Sequence, residues 1–239
     1  MQFGLMIMAR GPGVNGPGLS AMARAAEAGG LDYLAFNDHV VVPGGISSKY
    51  PYSNDGTWPG AAVGECLEML TAAAFIAAAT EKIKLLTSVM VVPHRPAMLA
   101  AKMLATVDVL SGGRLTVGAG AGWMREEFEA LDAPDFDKRG ASSNEFLEIF
   151  KKAWTEDPVS FDGEFYSFPE LRCMPQPVQD PHPPIWIGGH SKPARRRVAK
   201  YGDGWHPVGS IAASPLPPEK LQAGFDDIKQ MAEAEGRDP

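Results

Sequence analysis

Short apolar runs alternate with longer helix-like runs along this chain, and that alternation narrows the folds open to it. Phe3–Met8 reads as a strand, broken by "ARGPGVNGPG". Leu19–Ala28 reads as a helix stopped by Gly29 and Gly30. Tyr33–Phe36 is a second strand, Glu65–Ala79 a helix and Ile83–Val92 a third strand. Pro96 opens a helix over Ala97–Leu110, since proline suits the first helical turn. Leu115–Val117 is the fourth strand and Arg125–Leu131 a short helix. A longer helix covers Ser143–Trp154, with Ser142 and Glu145 at capping-box spacing. Strand Pro184–Gly188, helix Pro193–Tyr201, strand Gly204–Val208 and helix Glu219–Glu235 complete the series. Regular alternation of this kind argues for a parallel α/β sheet. Only "VSFDGEFYSF" interrupts it, where Asp162-Gly163 signals a tight hairpin inserted over 158–168.

No composition shift marks a linker, so residues 1–239 read as one domain. With 22 Lys plus Arg against 29 Asp plus Glu, the net charge is −7, which speaks against a nucleic-acid partner. The two cysteines, Cys66 and Cys173, are too few and too far apart for a disulfide framework. The amino terminus lacks a basic, then apolar, leader pattern, and no apolar run is long enough to span a bilayer. The expectation is a cytoplasmic protein with no membrane partner. The histidines show neither HxH nor HExxH spacing, so no metal site is expected. Met6, Met8, Met69, Met90, Met98 and Met103 read as core fillers.

"GRLTVGAGAGW" carries glycines at every second position, Gly118, Gly120 and Gly122, ahead of Trp123. A dinucleotide fingerprint would need a third small residue where Trp123 stands, and would follow the first strand rather than the fourth. A TIM-type (β/α)8 barrel fits better, because its ligands sit at the carboxyl ends of the strands. Those ends collect Asp38 and His39, Ser88, Gly118 to Trp123, and Gly188 to Ser191.

Six motifs, "NDHV", "TSVMVVPHRP", "LSGGRLTVGAGAGW", "VSFDGEFY", "PPIWIGGHS" and "YGDGW", occur in order across nearly the whole chain. Together they resemble the luciferase-like monooxygenase superfamily, and within it the branch that uses the deazaflavin coenzyme F420. Members using flavin mononucleotide (FMN) share the scaffold and several of these turns. The resemblance implies an oxidoreductase that moves a hydride to or from a small organic substrate. The alternatives are an FMN-dependent monooxygenase and a cofactor-binding protein without catalysis.

The resemblance also assigns roles. Asp38 and His39 match an Asp-His pair at the end of the second strand, with His39 steering or shuttling a proton near the ring. Histidine suits that work because its pKa lies near neutrality; the plainer reading is a strand-end cap. Ser88 and Val89 match a bulge beneath the central ring, and their peptide bond is expected to be cis. Gly118, Gly120 and Gly122 would let the backbone approach the ring or its ribityl chain, or would simply allow close packing. Trp123 would wall the pocket or be a buried core aromatic. Gly188, Gly189, His190 and Ser191 precede a helix whose free N–H groups would meet a phosphate. Arg95 is either an anion contact or a solvated loop charge, and Asp203 is structural. The loop over 40–64, with Tyr50, Tyr52 and Trp58, reads as a lid that sets substrate choice. The family continues past six strands to close its barrel, and its members commonly pair. This chain is therefore expected to lack the last two strands, to leave strands one and six unpaired, and to form a homodimer.

Overall fold

Strand residues that are buried on both faces define the centre of the molecule. The structure is a computed structural model that describes residues 1–7, 11, 13–62, 66–209, 211 and 213–238. Met8, Glu65 and the last two positions of the 40–64 loop lie outside the described residues.

The elements run β1 Gly4–Ile7, α1 Gly16–Ala28, β2 Tyr33–Phe36, α2 Met69–Ala79, β3 Lys84–Thr87, β4 Met90–Val91, α3 Ala97–Ser111 and β5 Leu115–Gly120. They continue with α4 Arg125–Ala130, α5 Arg139–Thr155, β6 Val159–Asp162, β7 Ser167–Leu171, β8 Ile185–Gly188, α6 Lys192–Tyr201, β9 Gly204–His206 and α7 Pro218–Ala234. The main sheet has the order β1-β2-β3-β5-β8-β9, with β4 also paired to β5, and every pairing in it is parallel. It is a parallel half-barrel: β1 and β9 stand at opposite edges and do not pair with each other among the described residues. The antiparallel pair β6-β7 sits apart from it.

Alternation along β2 shows the two layers. Leu34 and Phe36 point to the helices and join Ile76, Leu104, Phe146, Phe150, Val117 and Ile187 in the main core. Tyr33 and Ala35 point the other way and meet Leu86 and Trp186 inside the curve of the sheet. Helices cover only the outer side, so the inner side and the carboxyl ends remain for a ligand.

Four local readings change. Ile83–Val92 is two strands rather than one, because the chain breaks pairing at Ser88-Val89, whose peptide is cis. Gly118 and Gly120 belong to β5 itself, not to a turn after it. Ser142 and Glu145 do not cap α5, which begins earlier at Arg139. The Ser142 hydroxyl donates to the Arg139 carbonyl. Glu145 instead reaches the hairpin, where its carboxylate accepts from the N–H groups of Glu164, Phe165 and Tyr166 at 2.6–3.1 Å. Those amides lie in the loop between β6 and β7, closed by Gly163 N–H to Tyr166 O. The turn is therefore longer than a two-residue Asp-Gly one.

Candidate active site at the carboxyl ends of the strands

A cavity of about 460 Å3 opens where β1, β2, β3, β5, β8 and β9 end. Of the expected site residues, Asp38, His39, Ser88, Val89, Gly120, Gly122, Trp123, Gly188 and Gly189 line it. The loop after β2 supplies Tyr50, Tyr52 and Trp58 to the same wall. Gly118, His190 and Ser191 lie outside the lining. A larger hollow of about 570 Å3 lies among α5, α6 and α7, lined in part by Arg196, Arg197 and Lys200. It takes none of the strand-end residues.

His39 is held on two sides. Its Nδ1 lies 2.8 Å from Glu127 Oε2, and its ring packs on Trp58 at 4.3 Å between centroids. Glu127 comes from α4 and is fully buried. Its other oxygen accepts from Val40 N–H at 2.7 Å and Val41 N–H at 3.3 Å. Burial works against the charge. The hydrogen bond from His39, the fields of His94 and His39, and the Val40 amide outweigh it and hold the carboxyl below its usual range. A carboxylate on Nδ1 fixes the tautomer and leaves Nε2 to exchange a proton with a ligand. The next residue, Glu126, accepts from Ser47 N–H at 2.6 Å and Ser48 N–H at 3.0 Å. Two adjacent glutamates thus hold the loop down over the cavity.

Asp38 faces a different partner. The Arg95 guanidinium grips both its oxygens at 2.9 Å and also reaches Glu68 Oε1 at 2.6 Å. Burial opposes the Arg95 charge, yet hydrogen bonds and attraction from Asp38 and Glu68 raise its pKa further. Arg95 is therefore neither an anion contact nor a solvated loop charge. His94 beside it is buried, neither ring nitrogen has a hydrogen-bond partner among the described residues, and burial pushes its pKa down.

The floor is built by Val89. A Cβ on Gly120 would stand 2.6 Å from one Val89 methyl, and a Cβ on Gly188 2.8 Å from the other. These two glycines admit Val89 across β5 and β8. At Gly118 the space is taken by backbone: a Cβ there would run into the Thr87 carbonyl oxygen. Beside Val89, Ser88 Oγ lies 2.9 Å from His206 Nε2, and both residues line the cavity. At the start of α6, Ser191 caps the helix by accepting from Ala194 N–H at 3.3 Å. His190 Nε2 lies 3.1 Å from Ser214 Oγ, while its buried Nδ1 has no partner among the described residues. Asp203 is structural, accepting from Ile185 N–H at 2.9 Å.

Sequence reasoning missed Glu127 and His206. A weak signal existed for Glu127, because the "REE" run opens a short helix directly after the glycine-rich strand end. Among the described residues, no group of three or more His, Cys, Asp or Glu could hold a metal, and no helix is long and apolar enough to cross a membrane.

A parallel α/β half-barrel with a cavity at its strand ends defines a class, and comparison places the chain in it. The chain belongs to the luciferase-like monooxygenase family, whose profile matches residues 1–239. It is 39% identical over 171 residues to the FMNH2-dependent dimethylsulfone monooxygenase of Pseudomonas putida, covering 71% of this chain and 45% of that one. The match thus spans less than half of that relative's length. The crystal structure of monooxygenase RslO1 from Streptomyces bottropensis superposes with TM-score 0.80 at 25% identity, covering 100% of this chain and 68% of that one. The coenzyme F420-dependent tetrahydromethanopterin reductase of Methanopyrus kandleri has TM-score 0.75 at 18% identity, covering 99% and 62%; that likeness concerns the fold.

Proposed function

We propose that this chain binds the tricyclic ring of reduced FMN over Val89 and oxygenates a small organic substrate, with His39 as the proton-handling side chain. The observation that carries this reading is the pairing of two features in one cavity: a floor that only glycines at 120 and 188 permit, and a histidine backed by a fully buried carboxylate. The fit is physical. A flat ring needs a surface without projecting side chains, and a cavity of about 460 Å3 lies within the range of small-molecule sites. The Pseudomonas relative supports FMN over the deazaflavin.

When bound, the reduced ring supplies the electrons; the chain supplies orientation, dryness and a proton. Val89 would set the plane of the ring. Trp58, Trp123, Tyr50 and Tyr52 form an aromatic wall that limits water and favours an apolar substrate. His39 Nε2 would hold or deliver one proton while Glu127 stabilises the imidazolium.

Hydride transfer with coenzyme F420 is favoured by one observation, the Asp38-His39 pair that matches deazaflavin members. Parallel titration with FMN and F420 separates the two, and oxygen uptake with reduced FMN tests the chemistry. Oxygen uptake that depends on substrate is expected. Tight F420 binding without FMN binding transfers the proposal to the deazaflavin. Tight binding without turnover on any acceptor leaves a binding protein.

A further inference from the structure

The Ser88–His206 hydrogen bond joins the residue that follows β3 to β9, a strand that is not β3's neighbour. Between β3 and β9 stand β5 and β8, so the ladder path from one to the other is three strand spacings, about 14 Å. The side chains nevertheless meet at 2.9 Å, across the inside of the curve and beside the Val89 floor. Trp186, from β8, lies next to the His206 ring at 6.2 Å between centroids.

We propose that His206 is a positioning residue: through its bond to Ser88 Oγ it orients that hydroxyl toward a ring lying on Val89, so that Ser88 donates to a ring heteroatom. This rests on the reading of the cavity as a flavin-type site. Three observations support it. Both residues line the cavity. Ser88 is the residue before the floor, so its hydroxyl is carried on the same short segment as Val89. His206 is partly buried, and burial alone pushes its pKa down, so it meets Ser88 as a neutral ring. The proposal takes the Nε2–H tautomer, in which the neutral imidazole donates to a lone pair of the hydroxyl and leaves the serine proton for a ligand.

The test is a titration of the wild-type protein with FMN, and with F420 in parallel, following both affinity and the visible band of the bound ring. Ser88→Ala and His206→Leu should each weaken binding about 3- to 10-fold, the range of one hydrogen bond. Both should move the bound band to the same new position, and the double variant should add nothing. His206→Gln, which can still bond Ser88, should restore the wild-type band. Where His206→Leu unfolds, His206→Asn, too short to reach Ser88, takes its place. His206→Leu, or His206→Asn in its place, with wild-type affinity and band overturns the proposal and leaves the flavin reading intact. A band shift in His206→Leu that differs from that in Ser88→Ala also overturns it. Wild-type protein that binds neither ring overturns both.

Discussion

At the residue scale, the proposed reaction leans on one buried carboxylate. Glu127 holds His39, and its burial means that loss of the charge cannot be made good by water. Glu127→Gln and His39→Gln are each expected to lower turnover about 100- to 10,000-fold, the usual worth of a general acid or base, while FMN affinity stays nearly constant. Steady-state kinetics beside a binding titration check this, and equal loss of affinity would count against the proton role. Arg95 calls for the opposite outcome. Arg95→Met would leave Asp38 buried without its partner and should cost about 3–5 kcal/mol of stability in denaturant unfolding. The two glycine positions separate packing from binding. Gly118→Ala puts a methyl against the Thr87 carbonyl and should destabilise by about 1–3 kcal/mol. Gly120→Ala meets the Val89 side chain, so it should change ring affinity more than the unfolding midpoint.

Elements decide what the loop does. The stretch over 40–62 carries little regular structure, yet it is held by Glu126, Glu127 and the tilted contact of Trp58 with His39. The Glu126 carboxyl is lowered to about 2 from 4.5; burial opposes the charge, and bonds from Ser48 and Ser47 outweigh it. A lowered folded-state pKa means this hold is fully present above about pH 4.5 and fades as pH falls toward 2. Limited proteolysis within 40–62 should therefore accelerate below pH 4.5, and Glu126→Gln should show the fast rate already at neutral pH. An unchanged rate in that variant would show that Glu126 does not hold the loop. Element order and type were legible because hydrophobic period reports burial directly. The cavity residues at strand ends followed from the barrel reading. What stayed hidden were pairs distant in sequence: His39 with Glu127, Ser88 with His206, Asp38 with Arg95, Glu145 with the hairpin. Each looks locally like an ordinary polar residue, and only the closed geometry supplies its partner. Gly118 misled for a related reason, since a glycine that admits a ligand and one that admits a neighbouring carbonyl are identical in sequence.

The whole molecule is shaped by a sheet with two edges. Among the described residues β1 pairs on one side only, and Leu5 and Met6 on it, with Phe3 just before it, are exposed. Such an edge invites pairing. We expect a second copy of the chain to cover it, with concentration-dependent association in light scattering that Leu5→Lys reduces; a monomer at all concentrations would dismiss that. Two edges also imply a middle. β3 and β5 are flanked on both sides, whereas β1 and β9 each have one neighbour among the described residues. Amide hydrogens of the central strands should exchange with deuterium only through global opening, and those of the outer strands through cheaper local fraying. The cavity draws on both populations. Ser88, Val89 and Gly120 stand with the slow strands, while Met6 and His206 ride on the fast ones, so the ring's floor would keep its shape through motions that remodel the walls around it.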